Sequence, residues 1–232
     1  MLPVVCDVRD RRRSRISRSR RSPITARSDR LQQRGRRAGR PVLETTPADW
    51  RWIVDVNVLG VAYGVLAFGP ILKQQGEGHI INTASEAGHV SSAMLGMYTA
   101  TKHAVVGLSE SLYRELRARA SRCIVSARTS CARKIFHSER NRDDGAEIRP
   151  SQTATMAPLR EAISAMGIAP EQVAGDIVDA MRADRFWIFT HPTTRRSLAV
   201  RYADIGSRPQ SVESVCEHRW PRRPRARKRV KS

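Results

Sequence analysis

Long helical patterns and short apolar runs alternate between residues 45 and 190, and few folds accommodate that order. A first helix is predicted over residues 47–72, because a Thr–Pro pair followed by an acidic residue typically begins a helix and apolar residues then recur at helical spacing. A second long helix is predicted over residues 97–119. Between them, the run 79–84 (HIINTA) is typical of a buried parallel strand.

The remaining patterns continue this alternation. Further strands are predicted at 2–8, 123–126 and 186–189, and further helices at 156–166 and 170–183. Strands connected through helices form parallel sheets that are covered on both faces. The sequence therefore predicts an α/β fold, a three-layer sandwich around a parallel sheet.

Two basic segments account for the formal net charge of +20. Residues 1–40 contribute +11 and residues 195–232 contribute +9, whereas residues 41–194 are neutral. Residues 9–40 show no apolar periodicity, and the pattern also decays after Thr193. The predicted organisation is a strand over 1–8, a core over 41–192, and basic disordered arms over 9–40 and 193–232.

Cysteine usage and apolar patterning predict a cytoplasmic protein without a metal site. The four cysteines form no CxxC pair and have no His at metal-ligand spacing, as expected in a reducing compartment. The longest uncharged run, 56–72, contains Asn57, three glycines and Pro70, which favours a buried core helix over a membrane span. No apolar stretch follows the basic N-terminus, so no secretory signal is expected, although an Arg/Ser-rich start can also resemble a transit peptide.

Tyr98 and Lys102 are the first candidates for catalysis. They stand four residues apart on the second long helix, so their side chains share one face. An ammonium group near a phenol favours the phenolate and lowers the tyrosine pKa towards working pH, as a general acid/base requires. The alternative is a partly exposed tyrosine beside a solvated lysine.

Two upstream residues extend this pair to a pattern of four. Asn57, Ser85, Tyr98 and Lys102 follow one another at steps of 28, 13 and 4 residues, within the segments DVNVLGV, HIINTAS and YTATKHAVVGLSESL. In these spacings the sequence resembles the short-chain dehydrogenase/reductase family, which places a helix Asn, a strand-end Ser and a Tyr-x-x-x-Lys at near-fixed separations. The resemblance implies a Rossmann-like fold and an oxidoreductase that uses NAD or NADP on a small alcohol or ketone.

The resemblance also implies a role for each residue of the pattern. Tyr98 would exchange a proton with the substrate oxygen, to which Ser85 would donate a hydrogen bond. Lys102 would lower the pKa of Tyr98 and hold the ribose hydroxyls of the cofactor. Asn57 would distort its helix and hold a water molecule of the proton relay. Taken singly, Ser85 is better explained as a helix or turn cap and Asn57 as a satisfied buried amide, whereas the joint spacing favours the catalytic roles.

The resemblance has gaps near the start of the chain. Residues 5–8 (VCDV) resemble the third strand of the family, in which Asp7 would bind the adenine ring; the alternative is a strand-end acid without a ligand. The TGxxxGxG loop with which the family binds the pyrophosphate of the cofactor does not occur in this sequence. With Asp7 placed in this way, the chain lacks two strands, and cofactor binding is at risk without the glycine loop.

Two other family motifs are replaced by basic residues. Asn-Asn-Ala-Gly and a Pro-Gly segment are expected where the chain reads LQQRGRR (31–37) and ARTSCARK (127–134). Both stretches can be encoded by synonymous codons whose DNA, read one or two bases later, encodes the missing motif or a close match to it. The hypothesis is that residues 10–38, residues 127–133 and the tail after about Ile205 are frameshifted, which the coding DNA can test.

Three classes of function stay open at this level. The chain is an active dehydrogenase, an inactive truncated relative, or a protein whose basic arms bind nucleic acid or anionic membranes through phosphate contacts. Tyr202 and Trp220 are the only aromatic residues of the arms, which carry no zinc-finger or RNA-binding signature, so no specific nucleic-acid or membrane partner is expected. The resemblance implies a homo-oligomer built through apolar faces at 52–68 and 105–116, unless these stripes are internal core.

Overall fold

The computed structural model describes residues 26–27, 41–116, 121–127, 161 and 167–207 of the chain. Over these residues a parallel sheet has four strands, in the spatial order β1 (Ala26–Arg27), β2 (Gly78–Thr83), β3 (Ser121–Ala127) and β4 (Trp187–Phe189). Ile80 of β2 is paired with Ala26 on one side and with Cys123 on the other. The predicted parallel pairing and the strands predicted at 79–84, 123–126 and 186–189 are confirmed.

The first long helix, α1 (Pro47–Gln75), begins at a capping box and ends at a glycine. The Thr46 side chain accepts a hydrogen bond from Asp49 N at 3.2 Å, and the Asp49 carboxylate accepts one from Thr46 N at 3.0 Å. Gly76 follows with φ of +78°, a left-handed conformation that favours glycine. The helix therefore extends one turn beyond Leu72, where it is predicted to end.

Three further helices follow in the described part of the chain: α2 (Gly96–Leu116), α3 (Pro170–Arg182) and α4 (Pro192–Gly206). The helices predicted at 97–119 and 170–183 correspond to α2 and α3. Both α3 and α4 begin with a proline at the first turn, where the missing N–H has no intrahelical partner to lose. A short 3-10 helix, Glu86–Gly88, lies between β2 and α2.

The helices cover both faces of the sheet. Ile80 and Ile81 are successive residues of β2, so their side chains point to opposite faces. Ile80 packs with Leu72 of α1 and Leu112 of α2, whereas Ile81 packs with Ala180 of α3. The described residues thus form the three layers that the alternating pattern predicts.

The apolar stripes of the two long helices lie in different environments. On α2, Val105, Leu112 and Leu116 are at most 8% exposed, so the stripe at 105–116 is internal core. On α1, Leu59 and Leu66 are 36% and 59% exposed. Of the two predicted interface faces, only the one on α1 therefore presents large apolar side chains to solvent.

The prediction of a disordered arm over 193–232 is wrong for residues 193–206, because these residues form helix α4. The helix is anchored by contacts that leave no apolar periodicity in the sequence. Thr194 is fully buried, and the Arg195 guanidinium carbon lies 5.9 Å from the centre of the Phe189 ring. An arginine-rich helix of this kind cannot be distinguished from a disordered basic segment by its apolar pattern.

The prediction of disorder over 9–40 is likewise wrong at Ala26 and Arg27, which pair with β2 as strand β1. Backbone hydrogen bonds form this pairing, and they require no apolar pattern. Other predictions lie outside the described residues and stay predictions. They are the strand at 2–8 with Asp7, the remainder of both arms, the helix at 156–166 apart from residue 161, and most of the replaced motifs.

Helix α1 is also long and apolar enough to cross a membrane, with a mean hydropathy of 1.6 over its most apolar window. A core helix passes the same test. Three buried residues of α1 pack on the rest of the fold: Ile53 on Tyr98, Val61 on Val105, and Leu72 on Ile80. This packing favours the predicted core helix.

Candidate active site

Helix α2 places Tyr98 and Lys102 on one buried face. Tyr98 is 6% exposed and Lys102 is 1% exposed, which contradicts the alternative of a solvated lysine beside a partly exposed tyrosine. The Lys102 Nζ lies 5.7 Å from the centre of the Tyr98 ring and donates a hydrogen bond to the Thr83 carbonyl oxygen at 2.9 Å. Because burial of an ammonium group is costly, a lysine held in this way is a good candidate for a functional residue.

Ser85 stands two residues after the end of β2, at the carboxyl edge of the sheet. Its backbone is extended, and its Oγ accepts a hydrogen bond from Ala87 N at 3.2 Å, which caps the 3-10 helix Glu86–Gly88. The side chain is 6% exposed. Ser85 is therefore a turn cap, as the simpler interpretation predicts, and a serine hydroxyl can both accept and donate hydrogen bonds.

Asn57 lies at the centre of the π-helical turn Asp55–Leu59, the local distortion that the resemblance implies at this residue. Its Nδ2 donates to Thr101 Oγ1 at 3.0 Å, and Thr101 Oγ1 in turn donates to the Tyr98 carbonyl oxygen at 2.8 Å. The Asn57 Oδ1 is buried and makes no hydrogen bond within the described part of the chain. The interpretation as a satisfied buried amide thus holds for its nitrogen and not for its oxygen.

The loop that follows Ser85 lies against the backbone of α2. A Cβ atom on Gly88 would be 2.8 Å from the Lys102 carbonyl oxygen and 2.9 Å from Val106 Cγ2. Only glycine permits this approach. Ser85 is therefore held beside the turn of α2 that carries Lys102.

A second polar contact joins β2 to α2 behind the site. Asn82 Nδ2 donates to Ser109 Oγ at 2.9 Å, and Ser109 Oγ donates to the Val105 carbonyl oxygen at 2.7 Å. Asn82 is 3% exposed and Ser109 is fully buried. The contact fixes the strand that ends near Ser85 relative to the helix that carries Tyr98.

Sequence reasoning identified the four residues of the pattern and missed the residues that connect them. Thr101 bridges Asn57 to the backbone of Tyr98, and the pair Asn82–Ser109 connects β2 to α2. Thr101 was open to detection, because it stands between Tyr98 and Lys102 on the same helix. Nothing in the sequence pairs Asn82 with Ser109.

A family model described as short chain dehydrogenase matches residues 31–141 of this chain. The chain is also similar to a crystal structure of a short-chain dehydrogenase/reductase from Burkholderia phymatum in complex with NAD. That similarity covers 88% of this chain and 75% of the other, with 31% sequence identity and a TM-score of 0.75. The chain belongs to the short-chain dehydrogenase/reductase family. The family and the Rossmann-like fold expected from the spacing of the four residues are thereby confirmed.

Curated relatives of this short-chain dehydrogenase/reductase are oxidoreductases by name. It is 27% identical to a C alpha-dehydrogenase from Sphingobium, over 75% of this chain and 58% of the relative. It is 45% identical to an uncharacterised oxidoreductase from Staphylococcus saprophyticus, over 29% of this chain and 27% of the relative. The chain thus spans less than two thirds of the length of these relatives.

A nicotinamide cofactor fits one half of the site of this short-chain dehydrogenase/reductase. Tyr98 and Lys102 are suited to the ribose and nicotinamide end, and the unpartnered Asn57 Oδ1 provides an acceptor for a buried water. The TGxxxGxG loop, to which the resemblance assigns the pyrophosphate end, does not occur in this sequence. Among the described residues, no three His, Cys, Asp or Glu side chains are grouped to hold a metal ion. That no metal is needed stays a prediction.

Proposed function

We propose that this chain interconverts a small alcohol and the corresponding ketone with NAD or NADP. The observation that carries the proposal is the burial of Tyr98 and Lys102 on one face of α2, where hydrogen bonds of Lys102 and Thr101 connect the helix to the segments of Ser85 and Asn57. The related Burkholderia phymatum protein is solved with NAD, which supports a nicotinamide cofactor. When bound, the cofactor supplies or accepts the hydride.

Tyr98 is the general acid/base of the proposed reaction. In the direction of reduction its phenol gives a proton to the substrate oxygen, and in the direction of oxidation its phenolate takes that proton back. The positive charge of Lys102 near the ring favours the phenolate. The same ammonium group offers hydrogen-bond donors to the ribose hydroxyls.

Ser85 and Asn57 support this proton transfer. The bond from Ala87 N orients the Ser85 hydroxyl, whose hydrogen is donated to the substrate oxygen and stabilises the negative charge that develops there. Asn57 holds a water of the proton relay through Oδ1, which accepts no hydrogen bond from the described residues. The amide is fixed for this task because its Nδ2 is bonded to Thr101.

The test is turnover by the purified chain with NADH or NADPH and a panel of small ketones, followed by nicotinamide absorbance. Cofactor binding is measured first by calorimetry, because a hydride donor that is not held cannot react. Loss of the general acid in Tyr98→Phe should lower kcat by about 100- to 10,000-fold. The matched change Tyr202→Phe, at a tyrosine that is 60% exposed, should leave kcat unchanged. Absence of cofactor binding, or turnover that survives Tyr98→Phe, contradicts the proposal.

A further inference from the structure

One arginine of α4 contacts both segments that carry the site. Arg201 Nη1 donates a hydrogen bond to the carbonyl oxygen of His89 and lies 3.0 Å from Nε2 of His103. His89 ends the loop that begins at Ser85, and His103 directly follows Lys102 on α2. A single guanidinium group therefore joins the serine loop to the helix of the proposed general acid/base.

The contacts of His103 determine which of its nitrogens carries the proton. Nδ1 lies 3.0 Å from the Thr99 carbonyl oxygen, which can only accept, so Nδ1 is the donor. Nε2 faces the guanidinium of Arg201, which can only donate, so Nε2 is the acceptor. His103 thus continues the connection from Arg201 to the α2 backbone at Thr99, one residue after Tyr98.

The loop is also enclosed by side chains that leave little room for movement. The ring of His89 is 3% exposed and packs edge-on against Trp187 and Phe189 of β4, at centroid distances of 5.1 and 5.6 Å. On the other side of the loop, Gly88 touches the backbone of α2 at Lys102. Because the loop is enclosed on two sides, the movement left to it is a shift along α2. The hydrogen bond from Arg201 to the His89 carbonyl oxygen opposes that shift.

We propose that Arg201 is a positioning residue that joins the Ser85 loop to helix α2, so that the Ser85 hydroxyl and the Tyr98 phenol stay aligned on one substrate oxygen. This inference rests on the proposed function. Arg201 acts through its contacts with His89 and His103. It gives α4 a part in the chemistry, although α4 contains none of the four residues of the site.

The test compares Arg201→Met, which keeps the aliphatic stem and removes the donors, with Arg196→Met, which removes an exposed arginine of the same helix. Hydrogen exchange is measured at the amides of Gly88 and His89, which donate to the carbonyl oxygens of Ser85 and Glu86 at 2.9 and 2.8 Å. In Arg201→Met, both amides should exchange at least about fivefold faster, and kcat should fall at least about fivefold with the KM for cofactor unchanged. Arg196→Met should match the wild type in all three quantities.

A second pair of variants tests the other contact of the arginine. His103→Phe removes the acceptor and should speed exchange at Gly88 and His89, whereas His103→Gln offers an amide oxygen to Arg201 and should recover most of the wild-type protection. Exchange that is unchanged in both Arg201→Met and His103→Phe overturns the proposal. So does a change in Arg196→Met that equals the one in Arg201→Met. If the wild-type chain shows no turnover, the proposed function fails, while the exchange measurements still decide whether Arg201 holds the loop.

Discussion

His89 ends the loop that follows Ser85, and its ring is buried against strand β4. This burial determines the charge of the ring. Burial, together with the neighbouring His103 and Arg201, lowers the pKa of His89 from 6.5 to about 4. The ring is therefore neutral at physiological pH, and its buried Nε2 makes no hydrogen bond within the described part of the chain. Protonation would place an uncompensated charge beside Trp187 and next to a guanidinium group.

Acidification should destabilise the folded chain through His89. Between pH 6.5 and 4 the unfolded chain binds a proton at this residue that the folded chain does not, so the free energy of unfolding falls as the pH falls. The loss from this residue amounts to at most about 3 kcal/mol and is complete near pH 4. Urea unfolding at pH 7, 6 and 5 measures the part of this loss that falls above pH 5. The variant His89→Phe keeps an aromatic ring without a titratable group and should lose this part of the slope; an unchanged slope would mean that His89 is not its source.

The limit of sequence reasoning at this scale is set by distance along the chain. Asn57, Ser85, Tyr98 and Lys102 were predictable because the family keeps their separations nearly fixed. Arg201 meets His89 across 112 residues and carries no signature that distinguishes it from the other arginines. Contacts of this kind depend on the complete fold and cannot be derived from local pattern.

Close packing between the Ser85 loop and α2 is the main contact between elements in the site. The loop approaches so near that the backbone of α2 at Lys102 occupies the space where Gly88 would carry a side chain. A helix backbone cannot yield as a flexible side chain can. The position of Ser85 relative to Lys102 therefore depends on the absence of one methyl group.

Replacing Gly88 by alanine should displace the loop. The new Cβ would meet the Lys102 carbonyl oxygen at 2.8 Å, and we expect a loss of about 1–3 kcal/mol in the free energy of unfolding. Gly107, on the same helix, has no atom within 4 Å of an added Cβ, so Gly107→Ala should instead stabilise the chain by up to about 1 kcal/mol. Thermal and urea unfolding of both variants measure these effects. Equal stability of the two variants would contradict the close approach.

Among the elements, β2, β3, β4 and the helices α1 to α3 were predictable from periodicity and capping. Helix α4 was not, because its anchors are a buried threonine and arginine contacts rather than an apolar stripe. Strand β1 was not predictable for a related reason. Its two residues are held by backbone pairing to Ile80 and Ile81.

At the scale of the whole molecule, α1 presents apolar side chains to solvent. Leu59 and Leu66 are 36% and 59% exposed, on a helix whose opposite side is buried against α2 and β2. The corresponding stripe of α2 is internal. The expected homo-oligomer would therefore use α1 as its contact surface.

The self-association of this chain should depend on Leu66. Burial of an unpaired carboxylate in an apolar contact is unfavourable, because the charge loses its hydration. Leu66→Glu should therefore weaken association at least about tenfold. Sedimentation equilibrium measures the change. Val178→Glu is the matched control, since Val178 is 42% exposed on α3, on the other face of the sheet. A monomeric wild-type chain, or equal effects of the two changes, would contradict this use of α1.

The bond between Arg201 and His89 also has a consequence for the order of events during synthesis. A ribosome that adds 5–20 residues per second needs roughly 6 to 22 s to pass from residue 89 to residue 201. Asn57 and Ser85 precede this interval, and Tyr98 and Lys102 are added early in it. The nascent chain therefore contains all four residues of the family pattern long before it contains the arginine that joins the serine loop to the tyrosine helix.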